Sequence, residues 1–215
     1  YQYTLDRQYL DKTNAAAQRM KATVTELEKF DWTSDGKSTV DATGRAVNSY
    51  VKTLSLFTAA LNEKRESEAK LNTQGLCDNS EIATRLSRNA TLTPEQALLA
   101  SQVAFIMSDI DSQVSLYKQH PTDALRQAVL ARLNTGITDS GKLLPLLPDD
   151  GKEWVLEGIE EMKRITAEVD NYKNVWQQQA TLSEALTANA VALTDAIQTM
   201  FTRQQQKVFD TVDSI

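Results

Sequence analysis

The apolar positions of this chain recur at helical spacing almost from end to end. Met20, Val24, Leu27 and Phe30 share one face of AAAQRMKATVTELEKF, and Val40, Val47, Val51, Leu54 and Leu61 form a second stripe. That stripe resumes at Leu71, Ile82 and Leu86 and runs to about Ala90. Two further stripes follow, one through Leu99, Val103, Ile106, Ile110, Val114 and Tyr117, the other through Leu125, Val129 and Leu133. The last helix carries Val155, Ile159, Met162, Val169 and Trp176, pauses at QQQAT, and continues with Leu182, Leu186, Leu193, Ile197 and Met200. Some 60 uninterrupted helical residues would extend ~90 Å at ~1.5 Å per residue.

The breakers agree with this division. Pro94, Pro121, Pro145 and Pro148 all fall at inferred helix boundaries and none lies inside a periodic stretch. TLTPEQ is a strong start signal, with Thr93 as N-cap, Pro94 at the first helical position and Gln96 closing a capping box. Thr122 is placed to cap the next helix, and PLLPDDGKEW forms the turn before the last one. YQYTLDRQYL reads as the closing turns of a helix, Asp11 to Asn14 as a corner, and DWTSDGKS as a loop.

Two stretches lose the apolar face without losing helix propensity: NEKRESEAK between Leu61 and Leu71, and QQQAT at 177–181. If the third and last helices run antiparallel, the two pauses lie at matching heights, as at a waist where both helices face mostly solvent. Short connections force antiparallel neighbours. The expected fold is therefore all-α, with six helices in two four-helix bundles stacked end to end and sharing two long antiparallel helices. One bundle takes residues 1–62 with 181–215, the other residues 70–177, and both chain ends leave from one pole.

Composition narrows the function. The net charge of −6 lacks the dense basic stripe that nucleic acid requires. A single cysteine, Cys77, excludes an internal disulfide and has no neighbouring His or Lys to activate it. His120 stands alone before Pro121, which reads as a surface turn and not as a metal site or general base. Asp109 and Asp111 cannot share a helical face, and Gly-rich phosphate loops are absent. The expectation is a protein that is not an enzyme and holds no cofactor and no metal. No run of ~18 apolar residues and no signal peptide is present, so a membrane-anchored parent would make this chain an excised soluble piece.

The order and lengths of these elements, with RQYLDKTNAAAQRMKATVTELEKF near the start and TDAIQTMFTRQQQKVFDTVDSI at the end, resemble the helical bimodular sensor domain of bacterial chemoreceptors (methyl-accepting chemotaxis proteins) and related sensor histidine kinases. The resemblance spans essentially the whole chain but contains no strict motif. It implies a periplasmic domain of an inner-membrane protein that dimerises in the receptor. It also implies recognition of a small metabolite, often a carboxylate, and signalling by displacement of the last helix. One branch of such sensors is read by a periplasmic binding protein, so an interaction scaffold or structural bundle with no small ligand is the alternative.

A buried anion needs inward cations and hydrogen-bond donors. Tyr3, Arg7 and Leu10 share a helical face, Tyr50 flanks the third stripe, and Asn189 and Gln204 interrupt the last. The preferred ligand cluster is Tyr3, Arg7, Tyr50 and Asn189. The alternative is a solvated Arg7 with tyrosines that merely fill the core. Members of the resembled family that bind carboxylates use inward arginines from the first and last helices; here Arg203 is read as off the stripe, a departure from that pattern. A second candidate site is Arg85, Arg132 and Trp176, with Asp109, Trp154 and Tyr172 nearby; the competing reading is of charges snorkelling to water.

Overall fold

A computed structural model describes residues 2–214, with side chains at 7–149 and 151–214. The described chain is all-helical: α1 (Gln2–Leu27), α2 (Ser34–Lys70), α3 (Gln74–Ser87), α4 (Pro94–Gln119), α5 (Asp123–Leu143), two short 3-10 turns (Leu144–Leu146 and Asp149–Gly151) and α6 (Glu153–Asp213). The expected all-α class holds, and α6 is one unbroken helix of 61 residues. The chain forms two compact units, residues 1–62 with 178–215 and residues 63–177.

Three segment boundaries differ from expectation. DWTSDGKS is a loop only as far as Thr33, because α2 already begins at Ser34 with Asp35 in its first turn. The corner at Asp11 to Asn14 does not form and α1 runs through it. Polar residues there compete only weakly with the helix, and the Thr13 hydroxyl turns back to donate to the Tyr9 carbonyl at 2.8 Å, leaving the backbone ladder intact. Conversely, the third helix does not continue to Ala90. It ends at Lys70, where Arg164 of α6 donates to the carbonyls of Lys70 and Asn72, and Asn72 Oδ1 accepts from the Gln74 amide at 2.9 Å to start α3. An arginine distant in sequence thus satisfies the carbonyls that a helix end leaves orphaned. Further on, the Thr93 capping box forms in full, and Thr122 Oγ1 accepts from the Leu125 amide.

Residues 63–177 pack α3, α4, α5 and the first part of α6 around one core. Leu76, Met107, Ile110, Tyr117, Leu133, Met162, Ile165 and Tyr172 are essentially inaccessible to solvent. Tyr117 donates its hydroxyl to the Val169 carbonyl, and Tyr172 donates to the Lys118 carbonyl in the last turn of α4, each at 2.7 Å. Burial pushes the Tyr117 phenol up to about 12 and raises Tyr172 as well. Arg126 and Lys173 add ion pairs between α5 and α6, to Asp170 and Asp123 respectively. Ile82, expected on the inner stripe, is exposed.

The stretch NEKRESEAK faces solvent only in part: Asn62, Glu63, Glu66, Ala69 and Lys70 are exposed, while other positions pack against neighbouring helices. Ser67 is only 1% exposed and donates to Glu168 of α6, whose carboxylate also accepts from Asn171 at 2.6 Å. Lys64 lies 6.0 Å from the Trp176 ring centroid, and Lys118 of α4 lies 4.0 Å from Glu68. The apolar stripe gives way to a polar seam, which periodicity alone reads as solvent.

In the other unit, α1, residues 34–62 of α2 and residues 178–213 of α6 meet at Val24, Val47 and Leu193, with Met20, Tyr50, Val51 and Ile197 around them. Because α1 does not fold back, this unit has three helical segments in place of the expected four. Asn189 reaches Thr53, Arg203 reaches Thr39 and Lys207 reaches Thr33, which fixes α2 and α6 as antiparallel. The short turn after α1 then makes α1 parallel to α6. The early turns of α1 consequently point away from the end of α6, contrary to the expectation that both chain ends leave from one pole. Phe30, expected on the inner face of the first stripe, is 66% exposed and stands edge-on to Trp32.

Candidate functional site

A concavity of about 400 Å³ lies where the turn after α1 and the start of α2 face residues 200–208 of α6. Trp32 forms one wall. Its indole N–H donates to the Leu27 carbonyl at 2.6 Å, satisfying an end of α1 and fixing the ring. Gly36 allows the close fit, since a Cβ there would stand 3.2 Å from the indole Cε3.

The opposite wall carries two cations one helical turn apart. Arg203 donates to Thr39 Oγ1 at 3.2 Å, and Lys207 donates to Thr33 Oγ1 at 2.6 Å. Among the described residues neither has a carboxylate within 4 Å; both are solvent-exposed, and the side chain each one reaches is a neutral threonine. Thr39, itself 6% exposed, passes its own hydroxyl hydrogen to the Asp35 carbonyl at 2.8 Å. Two cations beside the positive end of α2 are electrostatically unfavourable on their own. A carboxylate placed between Arg203 and Lys207 would relieve that and gain charge-assisted hydrogen bonds. Asp31 and Asp35 line the same cleft from the α1–α2 side.

The residues singled out from the sequence are distributed differently. The Tyr3 side chain lies outside the described residues. Arg7 is exposed, Tyr50 packs half-buried against the Val24–Val47–Leu193 cluster, and Asn189 donates to Thr53 Oγ1 at 2.7 Å. Asn189 is thereby a tie between α6 and α2, and no interaction joins Arg7 to it or to Tyr50. The second set does not converge either. Arg85 pairs with Glu81 on its own helix at 3.4 Å, Arg132 Nε lies 2.8 Å from Asp109 Oδ2, and Trp176 faces Lys64.

With the stripe ended at Met200, Arg203 reads as off it and Lys207 is not reached. Continuing it by three and seven residues reaches both, and Lys207 falls within ~20° of Met200 around the helix. Cys77 is half-buried, and burial followed by the nearby Asp111 carboxylate raises its thiol above the ordinary value, which disfavours the thiolate. Among the described residues no group of three His, Cys, Asp or Glu side chains is arranged to hold a metal. No described helix is long and apolar enough to cross a membrane. The chain matches no protein-family model and no curated protein.

Proposed function

We propose that this chain is the extracytoplasmic sensing domain of a bacterial transmembrane receptor, of chemoreceptor or sensor-kinase type. In this reading it binds a small carboxylate-bearing metabolite in the cleft between Arg203, Lys207 and the start of α2. The observation that carries it is the placement of two cations without acidic partners on the last turns of a 61-residue helix, facing a cleft of ligand size. A carboxylate there bonds Arg203 and Lys207 of α6, while the rest of the ligand lies against the start of α2. Ligand binding then favours the arrangement in which these two helices sit closest, and α6 transmits the shift along its axis. The role is recognition and mechanical coupling, without covalent chemistry.

The test is a thermal-shift screen against small carboxylates. A metabolite at ~100 times its dissociation constant raises native-state stability by ~2.7 kcal/mol, and Arg203→Ala is expected to weaken that metabolite at least ~10-fold by removing one charge-assisted hydrogen bond. A metabolite that stabilises both proteins equally places its site elsewhere.

One observation favours a second reading, an interaction scaffold without a small ligand. The outer face of α4 presents Leu98 and Phe105, 61% and 68% exposed, together with Leu116, and no charged side chain is exposed between Leu98 and Leu116. Apolar, uncharged helix faces are suited to packing against another protein. A screen without hits, together with loss of self-association or partner capture in Phe105→Glu, would favour this reading.

A further inference from the structure

We infer that the cleft selects a small zwitterion, carrying one carboxylate and one ammonium group as an α-amino acid does, over a dicarboxylate. The inference rests on the cleft being the ligand site and goes further by naming the ligand class from the charges around it. The α6 wall supplies Arg203 and Lys207, and the α1–α2 wall supplies Asp31 and Asp35. Among the described residues no ion pair within 4 Å joins these four side chains to one another or to anything else. Two cations and two carboxylates, all four solvent-exposed, line one cavity without pairing with one another. The cleft is therefore close to neutral overall but divided, positive along α6 and negative along the turn.

This division discriminates between ligand chemistries. A monocarboxylate satisfies the α6 wall and leaves the acidic wall without a partner. A dicarboxylate turns its second negative charge toward Asp31 or Asp35 and is repelled. A zwitterion spans the cleft, with its carboxylate on Arg203 and Lys207 and its ammonium group toward the aspartates. Trp32 lies between the two acids in sequence and lines the same cavity, where its ring adds apolar contact for a side chain and a π face for the cation. A volume of about 400 Å³ lies toward the small end of ligand pockets, which suits a molecule of amino-acid size. Asp35 stands in the first turn of α2 and so holds its place on the acidic wall by the helix that carries it.

Calorimetric titration of the whole chain with each of the protein amino acids tests this, taking for each binder the same molecule without its amino group and without its carboxylate. At least one amino acid is expected to bind ~10-fold or more tightly than both counterparts, as loss of a charge-assisted contact implies. Asp35→Asn is expected to remove that preference while leaving the deaminated acid unchanged, and Arg203→Ala to weaken the amino acid and the deaminated acid together. If the deaminated acid or a dicarboxylate binds as tightly as any amino acid, the zwitterion inference fails and the carboxylate reading stands. If neither amino acids nor simple carboxylates bind, both fail.

Discussion

Leu133→Ala is expected to lower the unfolding free energy by about 2–5 kcal/mol, among the largest losses available to a single substitution here. Leu133 is completely inaccessible and belongs to a continuous core drawn from α3, α4, α5 and α6. Truncation removes the transfer free energy of its branched end and leaves a cavity. Neighbouring helices pinned by Arg126–Asp170 and by the two tyrosine hydroxyls have little freedom to close it. In the other unit the contiguous buried cluster is smaller, Val24, Val47 and Leu193, with Val40 and Leu54 buried outside it. Val47→Ala, which removes less volume, is expected to cost closer to 1–2 kcal/mol on the same grounds. Urea unfolding of the three proteins measures the difference, and equal losses would mean that the cores are not as unequal as described.

Gly136→Val is expected to cost about 1–3 kcal/mol by overpacking, even though valine is a better helix former than glycine. A Cβ at Gly136 would stand 2.6 Å from Met162 Sδ and 3.1 Å from Ile110 Cδ1, so α5 approaches α6 and α4 here closely enough to need a bare backbone. Methionine can swing its sulfur aside, so Gly136→Ala is expected to be tolerated far better, with its helix-propensity gain offsetting part of the clash. The two γ-methyls of valine would require Ile110 to move as well. Urea unfolding again provides the measurement. If Val were as stable as Ala, helix packing at this level would have to be looser than these distances.

Fold class and the strongest helix starts were legible in the sequence because they depend on local chemistry. The Thr93 capping box and the Thr122 cap require only residues a few positions apart. The 61-residue span of α6 follows from an apolar period that no proline or glycine stops. What was not legible depends on distant partners. The end of α2 at Lys70 is set by Arg164, more than 90 residues later, and no local breaker announces it. The burial of Ser67 in a hydrophilic stretch depends on Glu168, and the unbroken course of α1 through Asp11 to Asn14 on the absence of any strong stop.

The candidate site was missed for a related reason. Arg7, Arg203 and Lys207 are all exposed, but only Arg203 and Lys207 reach hydroxyls across a cleft, because α2 begins opposite them. Periodicity marks which positions lie on a face. It does not say whether a cation on that face meets solvent, a carboxylate or a pair of threonine hydroxyls.

Hydrogen–deuterium exchange with and without the most stabilising metabolite tests the central claim most directly, because it locates binding without any substitution. Slowed exchange is expected in residues 31–39 and 199–208, the two sides of the Trp32–Arg203–Lys207 cleft, with smaller protection extending along α6. Protection confined to residues 63–177, or no protection at all from a metabolite that raises thermal stability, would contradict the claim.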